Sequence, residues 1–299
     1  MDTIYTFGWG TLQMVFVALA SPLLQGIIKK IKARLQNRQG PPLLQPYYDL
    51  LKYFKKESIF SEHSSWITRA TPYITFCTML LAICLLPIFG AHAPFGFSGD
   101  ILVLIYLFGV ARFFTALAAL DAGSSFGGMG SSREMALGPL AEFALLLATF
   151  AALLSSGHTQ VITLTDGWEF FNPVHLLSLM AMLIVVVAEV GRIPIDNPDT
   201  HLELTMIHEG MLLEYSGRYL SLMLWASQIK QWIMLSLFVQ LFLPGGDYFS
   251  LYLLKMFALS LLLTLVETRY AKIRLFLVPR VFVFSMILSI LAIVTYSIN

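Results

Sequence analysis

Apolar residues gather in eight stretches long enough to cross a lipid bilayer, and most polar residues fall between them. The stretches lie near 6–28, 70–90, 100–121, 134–155, 173–191, 219–243, 248–268 and 276–297. A hydrocarbon core about 30 Å thick needs about 20 such residues per helix. Turn-forming residues stand where spans should end: Pro94 and Gly96, the glycine- and serine-rich run 123–132, Asn172-Pro173, Pro194 and Pro198, Pro244-Gly245-Gly246, and Pro279. The first stretch follows Met1-Asp2 with no basic segment ahead of it and is too long for a signal-peptide core, so it is expected to remain as an anchor. The pattern predicts an all-α polytopic membrane protein, a single transmembrane domain over residues 1–299 with about eight transmembrane helices. No 20- to 50-residue repeat is visible, and the two halves do not match one another as those of many carriers do.

One further element is predicted between the first two spans. Over residues 43–56, Leu43, Tyr47, Leu50, Leu51 and Phe54 share a helical face opposite Asp49, Lys52, Lys55 and Lys56. That pattern describes an amphipathic helix lying at the membrane interface, whether as a lipid anchor alone or also as a docking element. Just before it, Arg34 and Arg38 precede the stiff turn Gly40-Pro41-Pro42, a basic projection suited to a soluble partner.

Charge adds an orientation. Lys29, Lys30, Lys32, Arg34, Arg38, Lys52, Lys55, Lys56 and Arg69 follow span one. Arg133 follows span three, Arg192 and Arg218 follow span five, and Arg269, Lys272, Arg274 and Arg280 follow span seven. The alternate loops carry no lysine or arginine. The positive-inside rule makes the basic loops cytoplasmic and sets both termini on the outer side.

Composition narrows the chemistry. The chain is 57% hydrophobic and 12% charged, against about 45–50% and 25% for soluble domains, which excludes an ordinary soluble enzyme. A net charge of +1 gives no case for nucleic acid. Cys77 and Cys84 fall about two helical turns apart and cannot bridge each other. No P-loop, dinucleotide fingerprint or axial-histidine pair is present, so no cofactor is expected on this chain.

Two groups of ionisable residues need an explanation. Arg112, Glu142, Glu189, Lys230, Lys255 and Glu267 fall inside spans, where a charge costs at least roughly 2.5–3.5 kcal/mol. Glu142 and Lys230 are deepest; Arg112, Glu189 and Glu267 lie nearer the span ends, within reach of the interface by snorkelling. The second group is the loop AEVGRIPIDNPDTHLELTMIHEGMLLEYSG, residues 188 to 217, with Glu189, Asp196, Asp199, Glu203, Glu209 and Glu214 beside His201 and His208. Thr200 and Glu203 have capping-box spacing, which predicts a helix from His201 with His208 on the same face. A metal site there would lack both thiolates and an HExxH pattern. Leucines and methionines alternate with these carboxylates, so part of the loop is expected to be buried, where carboxylates can titrate near neutral pH. Glu214 and Arg218 are spaced to pair.

The stretch ARLQNRQGPPLLQPYYDLLKYFKKE resembles the first cytoplasmic loop of the H subunit of respiratory complex I, and AEVGRIPIDNPDTHLEL with LEYSG resembles that family's later loop. Gly40-Pro41-Pro42-Leu43-Leu44-Gln45, DNPDTHLELTMIHE and GSSFGGMGSSREMALGPLAE depart from the respiratory pattern. They look closer to the membrane subunit of group 4 nickel-iron hydrogenases, of the hydrogenase 4 and formate hydrogenlyase type. The resemblance implies a multi-pass subunit of a prokaryotic cytoplasmic membrane that is not an enzyme on its own. It would anchor a soluble hydrogenase arm and couple its redox reaction to proton or sodium movement. The implied partners are large and small hydrogenase subunits, iron-sulfur subunits and antiporter-like membrane subunits, with the nickel-iron centre and iron-sulfur clusters held by those partners. Glu142, Glu189, Asp196 and Glu203 match the family's ion-coupling carboxylates, Glu214 its loop end, and Arg34, Arg38 and Asp49 its first-loop residues; Lys52 joins these as a docking base. Glu209, Arg112, Lys230 and Lys255 complete the candidate ion path. A quinone-chamber subunit of a complex I type NADH:quinone oxidoreductase and a stand-alone ion carrier are the alternatives.

Overall fold

Helices occupy all eight expected stretches in the computed structural model, which describes residues 2–89, 93–94, 100–156, 172–196, 207–243 and 248–298. They are α1 (Asp2–Leu35), α3 (Trp66–Ile83), α4 (Asp100–Asp121), α5 (Ser125–Ser156), α6 (Pro173–Glu189), α8 (Gly217–Phe242), α9 (Phe249–Arg269) and α10 (Val278–Ile298). Two shorter helices, α2 (Gln45–Lys55) and α7 (His208–Leu212), lie in the connections.

Among the described residues, six helical segments are long and apolar enough to cross a membrane: Gly8–Leu35, Ile101–Asp121, Ser125–Leu154, Gly217–Phe242, Phe249–Arg269 and Leu275–Ile298. The expected count of eight is therefore not reached by length and hydropathy. The 17-residue α6 is too short. The 18-residue α3 carries Arg69 and four threonines. Those threonines turn their hydroxyls onto nearby acceptors: Thr71 donates to the Ile67 carbonyl at 2.9 Å, Thr75 to Thr71 at 3.0 Å, and Thr68 to Asp121 at 2.6 Å. Polar composition is thus satisfied inside the bundle.

The bundle is organised around α8, whose apolar stretch is 67% buried. It packs against α1, α2, α3, α6 and α9, while α4 lies between α3 and α5, and α10 covers α5 and α6. The predicted amphipathic helix is present as α2. Its Pro46 and Leu50 are buried, Ser221 donates to the Leu50 carbonyl at 3.2 Å, and the Tyr47 hydroxyl donates to the Leu19 carbonyl. Leu43, Leu51 and Phe54 from the same sequence face remain exposed, so protein takes one half of that face.

The run 123–132, a loop by its composition, is mostly helix. Only residues 122–124 turn, with Gly123 at φ +68°, and the Ser124 hydroxyl accepts from the Gly127 amide at 3.0 Å. Small residues here serve close packing. A Cβ on Gly127 would fall 2.6 Å from the Ala119 carbonyl oxygen and one on Gly130 3.1 Å from that of Ile207.

All the basic connections meet at one end of the bundle. The Ser216 hydroxyl accepts from the Ile59 amide at 2.8 Å and donates to its carbonyl at 3.0 Å. Gly217, at φ +53°, brings the start of α8 so close to the segment after α2 that a Cβ would sit 2.6 Å from the Glu57 carbonyl oxygen. The Ile273 amide donates to the Pro194 carbonyl at 2.8 Å. Toward the opposite end Phe16 sits edge-on to Phe89, Trp232 and Phe249, with centroids 5.1, 6.0 and 5.4 Å away.

Candidate functional site

Arg112 points from α4 into the bundle because two glycines leave space. A Cβ on Gly138 would lie 2.7 Å from the Arg112 Cδ, and one on Gly109 3.3 Å from a Glu142 carboxylate oxygen. The guanidinium donates through Nη1 to Glu142 Oε1 at 2.7 Å and to the Gly138 carbonyl at 2.9 Å, and through Nη2 to Glu189 Oε1 at 2.6 Å. Its Nε faces Glu134 Oε1 at 2.9 Å. Lys230 donates to the second Glu189 oxygen at 2.7 Å and lies 5.7 Å from the Phe108 ring centroid. Glu189 is almost wholly buried. A buried charge of this kind is tolerated only when paired and hydrogen-bonded, and Arg112 donates hydrogen bonds to Glu142 and Glu189 while standing in ion-pair contact with Glu134.

The pairing continues toward the basic end. Glu134 Oε2 lies 3.6 Å from His208 Nε2, His208 Nδ1 lies 3.2 Å from Asp196 Oδ2, and Lys272 reaches Asp196 Oδ1 at 2.8 Å. The imidazole rests on Gly191, at φ +65°, where a Cβ would meet its Nδ1 at 3.4 Å. Burial works against the Asp196 carboxylate, but hydrogen bonding to His208 and the charge of Lys272 hold it well below the usual carboxylate range. Burial likewise opposes charge on His208, and the carboxylates of Glu134 and Asp196 outweigh it, raising the ring above its ordinary 6.5.

A second buried cluster lies beside the first. Glu267 of α9 is paired with Lys32 of α1 at 2.7 Å and with Arg192 at 3.4 Å. Arg192 also donates to Gln25 and, at 3.1 Å, to Gln231. Lys230 and Gln231 are adjacent in α8, so one helix supplies both clusters.

Five of the expected ion-path residues are brought together: Glu142, Glu189, Asp196, Arg112 and Lys230 form one row. Lys255 stands apart, its ammonium donating to the Leu243 carbonyl at 2.6 Å near the opposite end. Glu209 and Glu214 are half-buried in and just after α7. Glu203 and His201, with the helix expected to begin there, lie outside the described residues. Arg218 lies 5.1 Å from the Tyr219 ring centroid, and no described ion pair joins it to Glu214. Of the docking residues, Arg34, Arg38 and Lys52 are exposed at the basic end, while Asp49 accepts from Gln45 at 2.9 Å.

Sequence reasoning missed Glu134 and the inward turn of Arg192 and Lys272, which it assigned to topology alone. Glu134, Gly138 and Glu142 fall on one face of α5 at four-residue intervals, a signal that was available. Arg112, Glu189 and Glu267 pair inside the bundle rather than snorkelling. Beside the row lies a mainly apolar cavity of about 130 Å³, bordered by Arg112, Glu134, His208 and Lys230 together with Met79 and Met223. No group of three or more histidines, cysteines, aspartates or glutamates among the described residues could hold a metal ion.

Comparison with known proteins supplies the context. A family model described as NADH dehydrogenase matches residues 10–297. The chain is 35% identical to formate hydrogenlyase subunit 4 of Escherichia coli (strain K12), over 90% of this chain and 92% of that one. It is 40% identical to hydrogenase-4 component C of the same organism, over 78% and 74%. The H subunit of the NADH-quinone oxidoreductase of Syntrophotalea carbinolica is 26% identical over 73% and 70%. A solved chain from the membrane-bound sulfane sulfur reductase, an archaeal respiratory membrane complex, superposes with a TM-score of 0.83 at 21% identity, covering 98% of this chain and 100% of that one. That last likeness shows the fold.

Proposed function

We infer the role of this chain from its membership: it belongs to the NADH dehydrogenase family, as a membrane subunit of the hydrogenase and formate hydrogenlyase kind. On that premise the chain anchors a soluble hydrogenase arm of large, small and iron-sulfur subunits at its basic end. It couples the arm's redox reaction to proton or sodium movement, with antiporter-like subunits as lateral neighbours. The nickel-iron centre and iron-sulfur clusters belong to the arm. The basic end faces the cytoplasm, both termini face outward, and all eight long helices span the membrane, α3 and α6 being sheltered among the others.

The row of ion pairs supports the coupling reading most directly. It runs without a gap longer than 3.6 Å from Lys272 and Asp196 in the basic-end connections to Glu142 and Lys230 within the spans. Each link joins groups that hold a proton or a charge. A change of charge where the arm docks is therefore felt by carboxylates deep in the bundle, whose interactions are strong in a low-dielectric interior. Arg34, Arg38 and Lys52, exposed beside the tied loops, supply charge-assisted contacts to the arm.

The test is Glu142→Gln in inverted membrane vesicles. The amide keeps a hydrogen-bond acceptor for Arg112 and removes both the negative charge and the capacity to carry a proton. Subunit content and hydrogenase activity with an artificial donor should match the parent complex, while ion movement driven by the complex's own donor falls at least about tenfold. Full coupling in this variant would overturn the reading.

A further inference from the structure

We propose that His208 is the positioning residue of this row: a protonation-dependent clasp that seats α7 on α5 and closes the link between Asp196 and Glu134. The proposal rests on the ion-coupling reading and deepens it.

The geometry is symmetrical about the imidazole. Asp196 gives one oxygen to Lys272 and the other to His208 Nδ1, at 2.8 and 3.2 Å. Glu134 gives one oxygen to Arg112 Nε and turns the other to His208 Nε2, at 2.9 and 3.6 Å. Each flanking carboxylate thus has a permanent cation on its far side, and His208 stands between them. Lys230, of α8, repels the charged ring from farther away. Among the described residues, four carboxylates in the row face three permanent cations. Counted over these described residues alone, carboxylates exceed permanent cations by one, and His208 is the group that can supply the matching charge.

The neutral ring holds only half of this clasp. With its single proton on Nδ1 it donates to Asp196, and its Nε2 lone pair then faces the Glu134 carboxylate, which is repulsive. Uptake of one proton from solvent forms the Nε2–H bond and converts that contact to an attraction. Loss of the proton returns it to solvent and restores the repulsion. The His208 side chain is 38% exposed. The glycines complete the seat: Gly191 lies flat beneath the ring, and Gly130 lets the backbone of α7 approach α5.

The sign follows from the geometry. The folded state favours the charged ring, so the clasp is fully closed below the ordinary histidine value and opens as pH rises through the higher folded one. Asp196 stays ionised throughout, leaving His208 as the group that switches.

Hydrogen–deuterium exchange of residues 207–213 in the purified intact complex, compared at pH 6 and pH 9 after correction for intrinsic exchange rates, tests this. Protection should fall about tenfold or more between the two values. In His208→Gln it should be low at both. In Glu134→Gln, which replaces the carboxylate facing Nε2 by a neutral amide able to donate to the neutral ring, the fall should be largely lost. A flat wild-type profile, a full wild-type step at an unmoved midpoint in Glu134→Gln, or an unchanged step in His208→Gln would each overturn the clasp. If His208→Gln fails to assemble, the wild-type and Glu134→Gln profiles still decide. Glu142→Gln keeps the step under this proposal, so a loss of the coupling reading and a loss of the clasp give different results.

Discussion

The two buried charge clusters share one helix and differ in what they can do. Around Arg112, carboxylates outnumber permanent cations, a histidine joins the row, and a cavity opens alongside. Around Glu267, among the described residues, Lys32 and Arg192 share one carboxylate, Gln25 and Gln231 accept from Arg192, and α1, α8 and α9 are held together. The first arrangement contains a histidine, whose charge depends on a proton. The described part of the second is a carboxylate between a lysine and an arginine, with no histidine in contact. Burial of charge in a membrane protein is therefore not one phenomenon: composition separates a site that responds from a staple that does not.

That contrast can be broken by mutation, and the largest effect belongs to Arg112. Its replacement by alanine takes the shared cation from Glu134, Glu142 and Glu189, with Lys230 still on Glu189, a loss beyond the roughly 3–5 kcal/mol that follows when a single buried pair is broken. The R112A chain should not accumulate in membranes, read by immunoblot against parent levels. Normal accumulation would mean that the row is held by something other than this guanidinium.

Next is Glu267→Gln, which removes the negative charge shared by Lys32 and Arg192, at a cost of about 3–5 kcal/mol. The midpoint of thermal inactivation of the detergent-solubilised complex should fall by several degrees, while ion movement per turnover of complex that does assemble stays at the parent value. A selective loss of coupling here would erase the distinction between the clusters.

The smallest change is Lys32→Gln. Arg192 remains on the second Glu267 oxygen, and the loss includes the charge-assisted hydrogen bond from Lys32, about 1.5–3 kcal/mol. The inactivation midpoint should shift in the same direction as in E267Q but by less.

Helix positions and the one-sided distribution of bases were legible in the sequence because each is carried by neighbouring residues: a run of apolar side chains, or a loop with or without lysine. Pairing was not. Arg112 meets Glu189 77 residues away, and Arg192 meets Glu267 75 away, separations at which no local periodicity survives. Arg192 and Lys272 look like ordinary members of basic loops until the loops fold inward. The run 123–132 misleads for a different reason: glycine and serine mark both turns and close helix contacts, and only the neighbours of Gly127 and Gly130 decide which. Span count suffers similarly, since the threonines of α3 lower its hydropathy while bonding acceptors within the bundle.

The tie between Ser216 and Ile59 has a mechanical consequence. It clamps the segment after α2 to the first turn of α8, and α8 then runs about 20 Å, at 1.5 Å per residue, to Lys230 and Gln231. The position at which the chain leaves α2 thus sets the start of a helix that carries a contact in each cluster, so one surface tie fixes the register of both.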